Sequence, residues 1–243
     1  MAPTRVDILG VGFDRIDLAA AAERIIERHA AGKRTFVITA NPEFVMLARR
    51  AADLGKIARA ADLVVADGTG VLVASRVLRD PLPGRVPGRL LVPAFLQLAS
   101  GPVFLLGAAP GVAERAAATL VRRIPSLEVA GTHSGSPALE DDEAIRVRIQ
   151  AVGARVLLVA YGMPAQERWI ARNLPLLPSV RTAIGVGGVF DQLAGRVRLP
   201  PRFVHAVGLE WLWRLAFEPS RWRRQRVLPV FAALVARQRI LGR

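Results

Sequence analysis

Five short aliphatic runs dictate the fold class of this chain. They are Thr35-Phe36-Val37-Ile38-Thr39, Leu63-Val64-Val65-Ala66, Val103-Phe104-Leu105-Leu106-Gly107, Val156-Leu157-Leu158-Val159-Ala160 and Thr182-Ala183-Ile184-Gly185-Val186. Each is nearly continuous in apolar residues rather than alternating. A strand of that kind is buried on both faces, as in a parallel sheet. The runs end in Gly, Asn or Asp, and alanine-rich helical stretches lie between them, among them Pro42 to Ala52, Val112 to Arg123 and Asp141 to Ala151. Regular alternation of strand and helix predicts a doubly wound α/β structure, a Rossmann-like, mostly parallel sheet flanked by helices. Ligands in such sheets bind beyond the carboxyl ends of the strands, so the residues after each run are the first to examine.

The alternation stops near residue 195. Residues 1–195 form the predicted α/β core, and residues 196–243 a helical, Arg/Trp-rich appendage. Arg196 to Pro201 read as a linker, Phe203 to Phe217 as a helix, and Pro219 as the first turn of another. The last 48 residues hold 11 arginines, no lysine and 2 glutamates, so they carry nine of the chain's fourteen net positive charges. Trp211, Trp213 and Trp222 are interleaved with them. Forked guanidiniums and amphipathic rings suit an anionic surface of phosphoryl groups, lipid headgroups or nucleic acid. The chain has no cysteine, which excludes disulfides and thiolate metal sites. No apolar stretch approaches the ~20 residues of a spanning helix. The longest, Val227 to Ala236, contains Pro229. No secretory leader is read at Met1 to Leu9.

Several strand ends carry polar residues. Asn41-Pro42 after the first of these runs makes a good helix N-cap with proline in the first turn. The cap leaves Thr39 unexplained, and a hydroxyl beside an amide suits a sugar or phosphate equally well. Asp67-Gly68-Thr69-Gly70 follows the next run. It reads as an Asp-Gly turn or as a general base projecting from a strand end. Gly107 to Gly111 is a tight turn without a dinucleotide or P-loop fingerprint. Gln166 and Glu167 open a helix after Tyr161-Gly162-Met163-Pro164. Glu167 serves the helix dipole, whereas Gln166 has no such reason and is a candidate ligand contact. His29, His133 and His205 form no metal-ligand spacing, no hydrolytic triad assembles, and no Asp-X-Asp metal motif is present.

Taken in order, these pieces resemble the WecG/TagA/CpsF family of bacterial glycosyltransferases. The resemblance covers nearly the whole chain. It runs through Thr39-Ala40-Asn41-Pro42, Asp67-Gly68-Thr69-Gly70-Val71, Arg85-Val86-Pro87-Gly88 and Gly162-Met163-Pro164-Ala165-Gln166-Glu167. It continues in Gly185-Val186-Gly187-Gly188-Val189-Phe190-Asp191, Gly208 to Leu215 and Glu218-Pro219-Ser220-Arg221. What it implies is an inverting, metal-independent transferase that needs no cofactor. Such an enzyme moves N-acetylmannosamine or a related hexose from a UDP-sugar to a polyprenyl-diphosphate-linked saccharide, in cell-envelope or exopolysaccharide synthesis. By the same resemblance Asp67 matches the catalytic base, and Thr39 and Asn41 are pocket residues near it. Arg85 and Gln166 match residues near the donor diphosphate or sugar, and Asp191 a nucleotide contact. Arg214, Arg221 and Arg224 match tail arginines that fold over the site.

The chain departs from the family pattern at Ala165, where lysine is usual, and at Leu90, where aspartate is common. It departs again at Ser136-Pro137, in place of an aromatic pair, and at Leu199-Pro200-Pro201, in place of Arg-Ala-Pro. These bear on donor and nucleotide contacts. The implied location is the cytoplasmic face of the plasma membrane, held peripherally at an anionic surface. No nucleic-acid partner is expected, and a homo-oligomer is compatible with the reading. The alternative is a non-catalytic nucleotide- or nucleic-acid-binding protein using the basic tail, which the pI of about 11.7 fits.

Overall fold

A computed structural model describes residues 5–197, 201, 210–217 and 222–242 of the chain. The chain opens with an antiparallel hairpin, β1 (Arg5–Ile8) and β2 (Val11–Asp14). Six further strands follow: β3 (Thr35–Ala40), β4 (Leu63–Ala66), β5 (Val103–Gly107), β6 (Val129–His133), β7 (Val156–Ala160) and β8 (Thr182–Gly185). They pair in parallel throughout, in the order β4-β3-β8-β7-β5-β6. The five apolar runs are all strands of this sheet.

Twelve α-helices are described, besides two short 3-10 turns: α1 (Leu18–Ala30), α2 (Pro42–Arg50), α3 (Ala52–Ala60), α4 (Thr69–Val77), α5 (Gly88–Leu96), α6 (Val112–Arg123), α7 (Asp142–Ala151), α8 (Ala165–Asn173), α9 (Val189–Leu193), α10 (Glu210–Phe217), α11 (Trp222–Gln225) and α12 (Val227–Leu241). They sort onto the two faces of the sheet because successive strand residues point to opposite sides. In β5, Phe104 and Leu106 join the layer of α2, α3, α7 and α8. Val103 and Leu105 join that of α1, α5, α6 and α9. Each fully buried large apolar side chain, such as Phe44, Phe95 or Trp169, contributes about 1.5–3 kcal/mol. An exposed ion pair such as Arg168–Asp53 contributes about 0–1 kcal/mol. The two apolar layers therefore hold the fold.

Asp14 shows how the sheet edge is closed. It is buried, and its Oδ2 accepts the Val64 N–H at 2.7 Å while Arg5 Nη2 lies 3.3 Å away. The carboxylate thus occupies a donor of edge strand β4 that would otherwise be open to another strand. His29 is a satisfied core histidine, its two ring nitrogens bonded to Thr182 Oγ1 at 3.0 Å and the Ser100 carbonyl at 2.8 Å.

The last helix is part of the core. Phe231 and Val235 of α12 are buried in the same layer as α2 and α4. Gln238 reaches the first hairpin: its Oε1 accepts the Leu9 N–H at 2.9 Å, and its Nε2 donates to Asp7 Oδ1 at 3.1 Å. The other side of α12 is also apolar, with Val230, Ile240 and Leu241 exposed. No described helix is long and apolar enough to cross a membrane.

Candidate active site

The crevice expected of this fold lies where neighbouring strands send the chain to opposite faces. β3 and β8 are such neighbours. β3 leads into α2 in one apolar layer, and β8 into α9 in the other. A cleft of about 520 Å³ opens beside this point, at the carboxyl ends of β3 and β4, with α12 as its far wall.

The polar end of the cleft is assembled by backbone geometry. The Asp67 N–H donates to the Ala40 carbonyl at 2.8 Å, extending the β3–β4 pairing by one residue and setting the root of the carboxylate. Gly68, at φ +111°, turns the chain from β4 into α4, a backbone that favours glycine. Gly70 is required for a different reason. A β-carbon there would stand 2.6 Å from Pro42 Cγ, so only glycine lets the first turn of α4 abut the first turn of α2. Two helix N-termini, each with partial positive charge, therefore converge beside Asp67. Asn41 caps α2 by accepting the Phe44 N–H at 3.0 Å, so its NH₂ end is what it can offer a ligand. Arg85 Nη1 donates to Thr69 Oγ1 at 3.3 Å, and the Val86 N–H bonds the Ala66 carbonyl at 2.8 Å, holding that segment across the end of β4. Asn41, Asp67, Thr69 and Arg85 all line the cleft. A carboxylate that can accept a proton thus stands beside a guanidinium and helix ends that can stabilise an anion.

The other sequence candidates are placed differently. Thr39 is buried, and its hydroxyl donates to the Gly185 carbonyl at 2.9 Å, tying the ends of β3 and β8 together beneath the cleft. Gln166 is 1% exposed and does not line the cleft. Its Oε1 accepts the Gly187 N–H at 2.9 Å, and its Nε2 donates to Glu167 Oε1 at 2.8 Å, so it sets the loop after β8. Glu167 does not stay at the surface to serve the helix dipole. It is fully buried, and burial pushes its carboxyl up to about 7 against the pull of the Gln166 hydrogen bond. Asp191 pairs with Arg196 at 3.5 Å on α9 and does not line the cleft. Arg214 falls in α10 and Arg224 in α11, next in the chain to cleft-lining Gln225. Arg221 lies outside the described residues. Among the described residues no three His, Asp or Glu side chains are grouped to hold a metal ion.

Sequence reasoning missed the apolar wall supplied by α12 and the Gly70–Pro42 contact. The run Val227 to Ala236 was a signal for the first. Nothing local marks the second, which depends on two helices meeting.

The model of the Glycosyl transferase WecG/TagA/CpsF family matches residues 6–243. Relatives include the N-acetylglucosaminyldiphosphoundecaprenol N-acetyl-beta-D-mannosaminyltransferases of Staphylococcus aureus strains MRSA252 and NCTC 8325 / PS 47. Each is 34% identical over 238 residues, covering 96% of this chain and 92% of the relative.

Proposed function

The chain belongs to the WecG/TagA/CpsF glycosyltransferase family, and from that premise we propose that it moves an N-acetylmannosamine-like hexose, with inversion, from a UDP-sugar to a saccharide on a polyprenyl diphosphate. The carrying observation is the convergence of Asp67, Asn41, Thr69 and Arg85 in one cleft at the strand ends. The relatives' acceptor, an N-acetylglucosaminyl diphosphoundecaprenol by name, supports the acceptor class. A non-catalytic nucleotide- or nucleic-acid-binding role finds no support in these likenesses.

In this reading the Asp67 carboxylate takes the proton of the acceptor hydroxyl. The freed oxygen pair attacks the anomeric carbon from the face opposite the leaving group. The bond from that carbon to the phosphate oxygen breaks, and UDP leaves with the electron pair. Charge grows on the diphosphate as the bond breaks, so fixed positive groups lower the barrier there. Arg85 and the α2 and α4 N-termini supply them, joined by Arg214, Arg221 and Arg224 when the tail closes. A cation set of this kind replaces a divalent metal. Thr39 and Gln166 act beneath the site by fixing the end of β8 and the loop after it. The basic tail, with Trp222 exposed, holds the enzyme peripherally at the anionic inner face of the plasma membrane, where its lipid-borne acceptor resides.

The test uses purified protein, a panel of UDP-hexoses and an N-acetylglucosaminyl diphosphate on a short lipid. Transfer is expected from UDP-N-acetylmannosamine or a close relative, and unchanged in excess chelator. Asp67→Asn should bind donor yet lose about 10²–10⁴-fold in turnover. Near-normal transfer by that variant rejects Asp67 as base. Loss in chelator that magnesium or manganese restores rejects the metal-free mechanism.

A further inference from the structure

The cleft has two chemically distinct ends. Beyond Asp67 and Arg85 it becomes a trough between two helices. On α4 its wall is Val73 and Val77, four residues apart and so on one stripe. Both are well exposed, at 49% and 43%. On α12 the facing wall is Leu228, Ala232 and Ala236, again at intervals of four. The neighbouring stripe, Phe231 and Val235, also lines the cleft but is buried against the core. In the first stripe Leu228 is half-buried and Ala232 and Ala236 are exposed, so core packing does not account for it. Alanine at 232 and 236, both exposed, leaves width between the helices that larger side chains would fill.

Exposed apolar side chains gathered in a concave trough mark a binding site more often than scattered ones do. The polar end limits what can lie there. A UDP-sugar is polar along its whole length and gives an apolar trough nothing to bury. An amphiphile whose anionic head sits at Arg85 and the helix N-termini has a tail that must leave along α4. From Thr69 to Val77 the rise is ~12 Å at ~1.5 Å per residue, enough to cover the first part of a prenyl chain.

We propose that the trough between α4 and α12 holds the diphosphate-proximal isoprene units of the lipid acceptor, with the diphosphate at the Arg85 end. This rests on the acceptor class proposed above. It adds that the lipid is read as lipid by the protein, and is not only an attachment to the bilayer.

The absence of cysteine from the chain makes a direct test available that needs no turnover. In the full-length protein, Val73→Cys and Ala232→Cys each place one thiol in the trough. Lys56→Cys, on the exposed surface of α3, is the control. Maleimide labelling is timed with isopentenyl diphosphate, geranylgeranyl diphosphate, inorganic pyrophosphate or phosphatidylglycerol vesicles added. Geranylgeranyl diphosphate should slow labelling at 73 and 232 at least ten-fold and leave position 56 unchanged. Isopentenyl diphosphate should need at least ten-fold higher concentration, and pyrophosphate should not protect. Equal potency of the two prenyl lengths overturns the proposal, because the head alone would then be bound. Protection by vesicles as good as that by the prenyl diphosphate overturns it in favour of a bilayer contact. Labelling already slow without lipid, and slowed no further, overturns it in favour of cover by the chain itself. Protection without any sugar transfer keeps the trough and rejects the transferase chemistry. Transfer without protection does the reverse.

Discussion

The two walls of the cleft are built on different terms. The wall formed by the strand ends, α2 and α4 is set by backbone: the Asp67–Ala40 hydrogen bond, the Gly68 turn, the Gly70–Pro42 contact and the Asn41 cap. Its polar groups have little freedom to move without disturbing the sheet. The α12 wall is held by the burial of Phe231 and Val235 and by Gln238 on the hairpin. It offers mostly apolar surface. The strand-end wall is thus fixed by backbone geometry, and the α12 wall by side-chain packing on α2 and α4. Sites on rigid elements hold reacting atoms closely, whereas weakly attached elements supply opening and closure.

Deleting residues 196–243 is the most severe way to test that division. Transfer should fall below detection, on a soluble acceptor as well as a membrane-bound one, while circular dichroism still reports the α/β body. Binding to anionic vesicles should also vanish, each surface-proximal basic residue being worth about 1 kcal/mol there. A deletion protein fully active on a soluble acceptor would reduce the tail to an anchor and remove its arginines from the site.

A pair of matched truncations gives a smaller effect and a sharper contrast. Phe44→Ala, on the strand-end wall, should cost the ~3–5 kcal/mol usual for a buried phenylalanine, seen as a large fall in global Tm. Phe231→Ala removes a ring from α12 that is also buried, 5% exposed against 0% for Phe44. Its effect should appear as local release instead: faster proteolysis within residues 222–241 and reduced transfer, with a smaller fall in Tm. Equal falls in Tm would show that the two walls are equally integral and end the distinction.

The mildest effect concerns Glu167, beneath the rigid wall. Its carboxyl is raised from the ordinary 4.5 to about 7 by burial. Between those values the folded state holds a proton that the unfolded state has released. This contribution to stability is fully present below the unfolded pKa and is lost as pH rises through about 7. Glu167→Gln keeps an acceptor for Gln166 and has no proton to lose. The Tm of the parent should therefore drop more than that of the variant between about pH 5 and about pH 8. Parallel Tm curves would reject a buried, titrating Glu167.

Much of this arrangement was legible in the residues, for a reason that also explains the gaps. A parallel strand buried on both faces must be apolar at nearly every position, so β3, β4, β5, β7 and β8 stand out. Edge strand β6, part-exposed at every position and containing Ala130 and Gly131, does not. The β1–β2 hairpin was missed because its turn places Leu9, not only Gly10, at positive φ, and leucine is not a turn signal. The stretch Pro42 to Ala52 reads as one helix. It breaks at Ala51, where backbone at φ −121° and ψ +103° is adopted without glycine or proline. At the site, Asp67, Asn41 and Arg85 follow or flank strand ends, so topology brings them together. Gln166 has the same local credentials but faces the loop after β8, because whether a side chain in the first turn of a helix points to the cleft or under it depends on how that helix packs.

The Gln238–Leu9 bond joins residues 229 apart in sequence. Its closure has to wait for nearly everything between them to be ordered, since closing a loop that long carries its full entropic penalty before any contact rewards it. The α12 wall should accordingly be the last part of the cleft to form during folding. A chain with its sheet complete and this clasp still open has Asp67 in register but only half of the trough. In pulse-labelling hydrogen exchange, amides of β3 and β4 should become protected before those of residues 227–241. Simultaneous protection would mean that the wall and the sheet fold as one unit.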